Sequence, residues 1–447
     1  MQPLTQKKSP QQLQYKENYL TTKLKESQIS FWIDSSGGPK KLCKNSFYGI
    51  NPKYYFYGSL DKINFVNCNK DVSIECTYIS KNCFDFLEEK LNEEENNPDG
   101  IFIGYISYDL YNNLLLKPHD KIYPDFFFAY CDNAEDVIAS SSPQANLEAR
   151  RERSSETTKQ SQSHEPFSIA SDLRLNDVVS KHLNSNMTDA EYLNKVKQIK
   201  EEIRQGNVYQ VNLTREYSIE IDNFDELDLY LKLRSISPNP YGGYFKTPFV
   251  SILSSSPEEF LYIAPSNQTS RYVRTRPIKG TLPKNTFEID SKNQAENTMI
   301  VDLERNDLGR ICEYGSIKTN ELLTIEPYKH LNHVVSTVEG KLRSDLTLRQ
   351  IFEAMFPGGS ITGAPKIAAM KIINELEPTK RGGYTGSFGY IKTDGTMNFN
   401  ILIRTIFIHG NKITFNVGGG IIADSEAEME LEEINLKAKG IIATLGL

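Results

Sequence analysis

Residues 401–443 read ILIRTIFIHGNKITFNVGGGIIADSEAEMELEEINLKAKGIIA: two strand-like runs, Ile401 to Ile408 and Lys412 to Val417, then a glycine cluster, then a helix over 425 to 443. Working outward, further strand-like runs (Val208 to Leu213, Tyr272 to Arg276, Gly386 to Ile391) alternate irregularly with helical patterns near 290–308, 346–355 and 364–376. A doubly wound parallel sheet would alternate regularly, so the irregular mixing, with no repeat of fixed period, predicts an α+β fold built on large antiparallel sheets.

This compact region opens at residue 187. Thr188 and Glu191 form a capping box, and Tyr192, Val196, Ile199 and Ile203 recur at helical spacing until Gly206. Before it, residues 139–176 are rich in Ser, Gln, Glu and Arg and too polar to pack, which reads as an inserted loop or linker. Residues 29–138 carry short strand-like runs (Tyr54 to Tyr57, Ile63 to Val66, Ile101 to Tyr105, Phe126 to Tyr130) and one helix near Phe84 to Leu91, an N-terminal β-rich region. Residues 1–28 hold few aliphatic side chains and are expected to fray.

Among the 447 residues, 51 Lys and Arg against 58 Asp and Glu give a net charge of −7, and no long stretch is strongly basic. Nucleic acid and anionic membrane surfaces are therefore excluded as main partners. The six cysteines form no C-x-x-C pair, so neither a zinc site nor a dense disulfide framework is indicated. A polar start without a signal-like apolar core, and the absence of any apolar run of about 18 residues, lead to the expectation of a soluble cytoplasmic protein.

On the last helix Glu426, Glu430, Glu433 and Lys437 share one stripe, which alone reads as a solvated acidic face with a stabilising Glu-to-Lys pair. A second acidic helix, SKNQAENTMIVDLERNDLGR, sets Glu296 beside the apolar face of Ala295, Met299, Ile300 and Leu303. Two such helices facing each other would offer oxygen ligands to a hard cation such as Mg²⁺. FPGGSITGAPK (Phe356 to Lys366) is either a glycine-rich turn capped by Thr362 or a helix N-terminus that binds an anion; it lacks the phosphate-loop order. Arg404 lies among apolar neighbours, where a guanidinium needs a carboxylate from the protein or a ligand. In RTRPIKGT, burial and the nearby Arg274 and Arg276 would lower the pKa of Lys279 and free its amine, although a lysine in a turn is ordinarily solvated.

Together these segments resemble the chorismate-utilising enzymes, closest to the component I subunits of aminodeoxychorismate synthases. The resemblance rests on GNVYQVNLTR, SSSPEEFL, RPIKGT, AENTMIVDLERNDLGR, HVVSTVEG, FPGGSITGAPK, GGYTGSFGY, NFNILIRT and GGGIIADSEAEMELEEINLKAKG, nine motifs in order across 187–447. FWIDSS and GYISYDL extend it more loosely toward the N-terminus. It implies the fold of anthranilate synthase component I, two antiparallel sheets sandwiched together with helices outside.

The resemblance also implies roles. Glu296 and Glu433 would coordinate Mg²⁺, with Glu430 holding a metal-bound water; Asn293 departs from the acidic residue that relatives often carry. Gly280, Thr281, His333, Ser360, Tyr384, Arg404, Gly418, Gly420 and Lys437 would line the chorismate pocket, Arg404 and Tyr384 taking the enolpyruvyl carboxylate. Ser35, Ser36 and Asn212 would belong to a tryptophan-like regulatory pocket. Members that add water to chorismate carry a lysine base where this chain has Gln210, and anthranilate-type members usually read PIAGT where it reads PIKGT. The implied reaction is amination at C4, with Lys279 attacking C2 and Glu258 as acid and base, giving 4-amino-4-deoxychorismate for para-aminobenzoate and folate synthesis. No G-x-C-x-G turn is present, so ammonia would come from a separate glutamine amidotransferase subunit. Component I of anthranilate synthase is the rival within the family, and a catalytically silent regulatory or binding subunit the rival outside it.

Overall fold

The computed structural model describes residues 20–35, 37–39, 41–42, 46–68, 76–111, 123–136, 183–266, 271–329 and 331–447. Their strands form two sheets, of ten and twelve strands, in which the pairings are antiparallel. The first runs in the order Gly363–Ala364, Gln210–Glu220, Lys412–Ile421, Thr405–His409, Ser251–Ser254, Gly242–Lys246, Ser30–Asp34, Phe47–Ile50 and Glu135–Asp136. The second runs from Ile278–Pro283 through Leu331–Lys341, Tyr272–Arg276, Glu259–Ile263, Met397–Asn400, Ser387–Lys392, Ile101–Ile106 and Phe126–Cys131 to the hairpin strands Tyr54–Ser59, Lys62–Asn67 and Cys76–Ile79.

Three cores show how the layers stack. Phe31, Phe245 and Phe407 of the first sheet meet Ile103, Phe127 and Phe388 of the second in one buried cluster. The rings of Phe245 and Phe388 stack with centroids 5.4 Å apart. The outer face of the first sheet is covered by the helices Asp189–Arg204, Glu226–Ile236 and Ala427–Leu445, through residues such as Val196, Tyr230, Ile434 and Ile441. The outer face of the second is covered by Cys83–Glu93 and Leu348–Met355, with Phe84 and Phe352 stacked at 4.5 Å, and by the far end of Ser291–Gly309. The fold is thus α+β with a sheet-on-sheet core. Buried on both faces, Ile101–Ile106 reads as a continuous apolar run, IFIGYI.

Strands of the N-terminal region belong to both sheets: Ser30–Asp34 pairs with Gly242–Lys246, and Ile101–Ile106 pairs with Ser387–Lys392. The arm expected to fray over 1–28 is helical over 20–26, where Leu20 and Leu24 bury against the cluster that contains Trp32 and Tyr230. Two leucines four residues apart suffice to dock one turn. Residues 1–19 and the whole 139–176 insert lie outside the described residues. Among the described residues, no helix is long and apolar enough to cross a membrane.

The capping box at Thr188 forms as expected, Thr188 Oγ1 accepting from the Glu191 amide at 3.2 Å. The expected strand Ile401 to Ile408 does not form as one piece. Met397–Asn400 pairs in the second sheet and Thr405–His409 in the first, so residues 401–404 carry the chain between the layers. At that crossing Arg404 adopts φ +52°. Apolar side chains continue through the crossing because both ends of it enter the same cores, which is why alternation alone misses the break. The second run is instead longer than expected: Gly418, Gly419 and Gly420 are strand residues, paired with Thr214, Leu213 and Asn212.

Candidate active site

Of the two helices that carry the acidic residues, Ser291–Gly309 packs on the strands Ile278–Pro283 and Leu331–Lys341 of the second sheet, and Ala427–Leu445 packs on Lys412–Ile421 of the first. Between Ile278, paired with Val335, and Thr281, paired with His333, the register shifts. This bulge sets Lys279 and Gly280 outside the regular ladder, the usual way a strand re-aims a side chain. Gly280 has φ +100°, and a Cβ there would stand 2.9 Å from Asn293 Oδ1. The positive φ favours glycine, and any larger residue would also have to displace the Asn293 amide.

Glu258 follows Pro257 at the start of the Glu259–Ile263 strand and is 3% exposed. Burial pushes its carboxyl up to about 7, against the stabilising pull of Ser360, Lys279 and the Ile278 amide, whose nitrogen is 3.4 Å from Oε1. The Ser360 hydroxyl is buried and completes no hydrogen bond among the described residues, yet stands near enough to Glu258 to favour its charged form. Burial lowers the Lys279 ammonium from the ordinary lysine range; Lys437 adds to that effect, whereas Glu296, Glu258 and Glu433 oppose it. The pair therefore approaches the state of an acid that keeps its proton beside an amine that loses one.

His333 is 1% exposed. Its Nε2 lies 3.1 Å from Arg404 Nη2 and its Nδ1 3.3 Å from Thr281 Oγ1. A guanidinium only donates, so Nε2 accepts and Nδ1 carries the proton. Burial and then Arg404 hold this imidazole neutral, well below its usual pKa. The Arg404 guanidinium is itself shifted down by burial, with Tyr328 and Glu258 opposing. Tyr384, expected to work with Arg404, sits 4% exposed in the core between the sheets. No hydrogen bond joins the two among the described residues; Arg381 and Glu377 are the charged neighbours of Tyr384.

The acidic residues converge from both helices. Glu430, 2% exposed, accepts Ser425 Oγ at 2.7 Å and is ion-paired with Lys292 at 3.0 Å. Glu433 pairs with Lys437 at 2.6 Å, and Lys437 Nζ also donates to the Gly418 carbonyl at 2.8 Å. Lys437 holds the Glu433 carboxyl below its usual value. Glu296 has no hydrogen-bond or ion-pair partner among the described residues; burial pushes its carboxyl up while Lys279 and Lys292 pull it down and Glu430 and Glu433 push it further. A Cβ on Gly419 would lie 3.4 Å from Glu430 Oε2 and 3.9 Å from Glu433 Oε1, so the glycine strand runs directly beneath this cluster.

Among the described residues no three His, Cys, Asp or Glu side chains stand in an arrangement that could hold a metal ion. The donor chemistry nonetheless fits a hard cation: three carboxylates, one without a direct partner and two beside ammonium groups. Lys292 was not foreseen, although it lies one turn before Glu296 on the same helix face. Gln210 is fully buried beneath Gly420, with neither amide atom hydrogen-bonded among the described residues. Glu304 was also missed; within an amphipathic helix pattern it looks like a solvent-facing residue.

Of Ser35, Ser36 and Asn212, the structure places Ser35 and Asn212 apart. Ser35 lines a cavity of about 60 Å³ between the sheets, with Tyr241, Tyr390 and Asn400, and its amide nitrogen lies 3.2 Å from Ser46 Oγ. Asn212 lies instead beside Gly420, on a strand separated from that of Ser35 by five inter-strand spacings, roughly 24 Å. Ser36 lies outside the described residues.

Comparisons with known proteins agree on the family, and the relatives include both aminodeoxychorismate synthases and anthranilate synthases. Residues 50–443 match the family described as chorismate binding enzyme. The chain is 31% identical to the chloroplastic aminodeoxychorismate synthase of Arabidopsis thaliana, covering 92% of this chain and 50% of that protein. It is 34% identical to aminodeoxychorismate synthase component 1 of Bacillus subtilis, covering 79% of each. The chain thus spans about half the length of the plant relative. Among solved structures, anthranilate synthase component I from Streptococcus pneumoniae superposes with a TM-score of 0.65 at 26% identity, covering 93% of this chain and 92% of that one.

Proposed function

Because the chain belongs to the chorismate-binding enzyme family, we propose that it acts as component I of an aminodeoxychorismate synthase, converting chorismate and ammonia to 4-amino-4-deoxychorismate and water. The observation that carries this reading is the pairing of an amine shifted toward its free form, Lys279, with a buried carboxyl near its neutral point, Glu258. The Lys279 nitrogen forms a bond to ring carbon C2, the ring double bonds shift, and the C4–O bond breaks as Glu258 delivers a proton to the departing hydroxyl. Ammonia then bonds to C4, the double bonds shift back, the C2–N bond breaks, and the surplus proton returns to Glu258. Pyruvate stays on the ring. Arg404, oriented by His333, supplies the fixed positive charge for one carboxylate of this dianion.

Glu296 and Glu433 would hold Mg²⁺, with Glu430 acting through a water, and the ion would offset the charge of the ring carboxylate. Glu296→Gln should raise the Mg²⁺ concentration needed for half-maximal binding by about tenfold or more, read by calorimetric titration of the metal and by activity. Unchanged affinity in that variant would remove Glu296 from the metal site. We further propose that ammonia reaches the site from a separate glutamine amidotransferase subunit in a cytoplasmic enzyme serving para-aminobenzoate and folate synthesis.

Lys279 speaks against the anthranilate-type reaction, since an amine at that position obstructs entry of ammonia at C2. A silent subunit would not keep Glu258, Lys279, Glu296, Arg404 and Glu433 within one electrostatic cluster. The test is a product assay with chorismate, Mg²⁺ and ammonium. Release of 4-amino-4-deoxychorismate, identified by mass and ultraviolet spectrum, is the expected result; anthranilate with free pyruvate, or no reaction, contradicts it.

A further inference from the structure

About two turns beyond Glu296 on the same helix, Glu304 is buried to 2% exposure, and its Oε1 accepts the amide proton of Gly359 at 3.0 Å. Gly359 opens the short turn Gly359–Ile361 that carries Ser360. A Cβ on Gly359 would lie 2.9 Å from Glu304 Oε1 and 2.7 Å from Leu303 Cδ2, so the turn is pressed onto the helix at this point. The other end of the turn is fixed independently, with Arg381 Nη1 donating to the Ile361 carbonyl at 2.8 Å and Thr362 Oγ1 to the Gly358 carbonyl at 3.0 Å. Between these anchors the Ser360 hydroxyl is left, among the described residues, without a completed hydrogen bond, beside Glu258.

We propose that Glu304 is a positioning residue for the acid–base carboxyl of Glu258, acting through the Gly359 amide and the Ser360 hydroxyl. This rests on the role given to Glu258 above. A carboxylate is a costly way to accept one amide proton in a buried place, where a neutral side chain would serve; what it adds is charge close to a second carboxyl. Burial, and after it Asp307, push the Glu304 carboxyl up to about 7, Lys366 and the Gly359 amide pull it down, and Glu258 pushes it further up. Asp307 and Lys366 form their own ion pair at the N-terminal end of the Lys366–Leu376 helix, Lys366 donating also to the Met355 carbonyl, so the cation nearest Glu304 is shared. Glu258 in turn faces Ser360, Lys279, the Ile278 amide and Arg404. Glu304 therefore fixes where Ser360 stands, and to the extent that it is ionised its charge opposes ionisation of Glu258.

Two variants separate these contributions. Glu304→Gln keeps an oxygen for the Gly359 amide and removes the charge; Glu304→Leu removes both. Because loss of nearby negative charge makes Glu258 easier to ionise, the limb of the kcat/KM profile that Glu258 sets near pH 7 should move to lower pH by about half a unit to one unit in Glu304→Gln. Glu304→Leu should in addition lose roughly 10- to 100-fold in kcat with a smaller change in KM, as Ser360 drifts. If Glu304→Leu does not fold, the profile of Glu304→Gln decides alone. Wild-type limbs and wild-type kcat in Glu304→Gln overturn the proposal. The assay follows loss of chorismate, so a shifted limb with a different product upholds the Glu304 role while refuting the proposed reaction, and the right product with unshifted limbs does the reverse.

Discussion

Lys279→Ala is expected to lower turnover of chorismate with ammonium by about 10³-fold or more, while leaving the fold and the affinity for Mg²⁺ near those of the wild type. The size follows from what the amine does: without it, ammonia must displace the C4 hydroxyl in a single step, with only the proton from Glu258 to help it leave. The side chain sits in a bulge at the end of a sheet edge and belongs to none of the three cores, so its truncation leaves no large cavity. Steady-state kinetics across pH with ammonium in excess are the measurement. The wild-type rate should rise as the Lys279 amine loses its proton, at a pH below that of an ordinary lysine because burial disfavours the charged form. With the lysine gone, C2 is open, and any residual product should include the anthranilate type. A variant that makes 4-amino-4-deoxychorismate at the wild-type rate would reduce Lys279 to an electrostatic neighbour.

Glu258→Gln is expected to cost between about 10²- and 10⁴-fold in kcat, the usual range for loss of a positioned acid–base group. Glutamine preserves shape and can still accept from the Ile278 amide, so binding of chorismate should change little, which separates this variant from a binding defect. The carboxyl is pushed up to about 7 by burial, so Glu258 is expected to set the wild-type limb in that region. That limb should disappear from the Glu258→Gln profile. Its persistence would assign the titration to another group, and retention of rate would remove Glu258 from the chemistry.

Much of this arrangement is legible in the sequence because its parts are local. The helix at Thr188 announces itself through a capping box, the Glu430, Glu433 and Lys437 stripe through helical spacing, and the chorismate-binding family through nine ordered motifs. What escapes is what depends on the third dimension. The break at residues 401–404 is invisible because apolar side chains are wanted on both sides of the crossing, yet it places Arg404 in its left-handed backbone conformation against His333. Glu304 looks like one more polar residue on a helix; only the approach of Gly359 buries it. Asn212 lies on a strand and Ser35 just past the end of one, and sheet order sets those two strands five spacings apart in one layer.

The central claim, that the Lys279 amine bonds to the substrate ring, is tested most directly by trapping. Protein mixed with chorismate and Mg²⁺ in the absence of ammonia, quenched in acid and digested, should show chorismate less one water added to the peptide that carries Lys279, and no addition in Lys279→Ala. Ammonium added before the quench should clear the adduct as product forms. Wild-type protein that turns over chorismate with ammonium, yet shows no added mass on that peptide at any quench time, would contradict the covalent account.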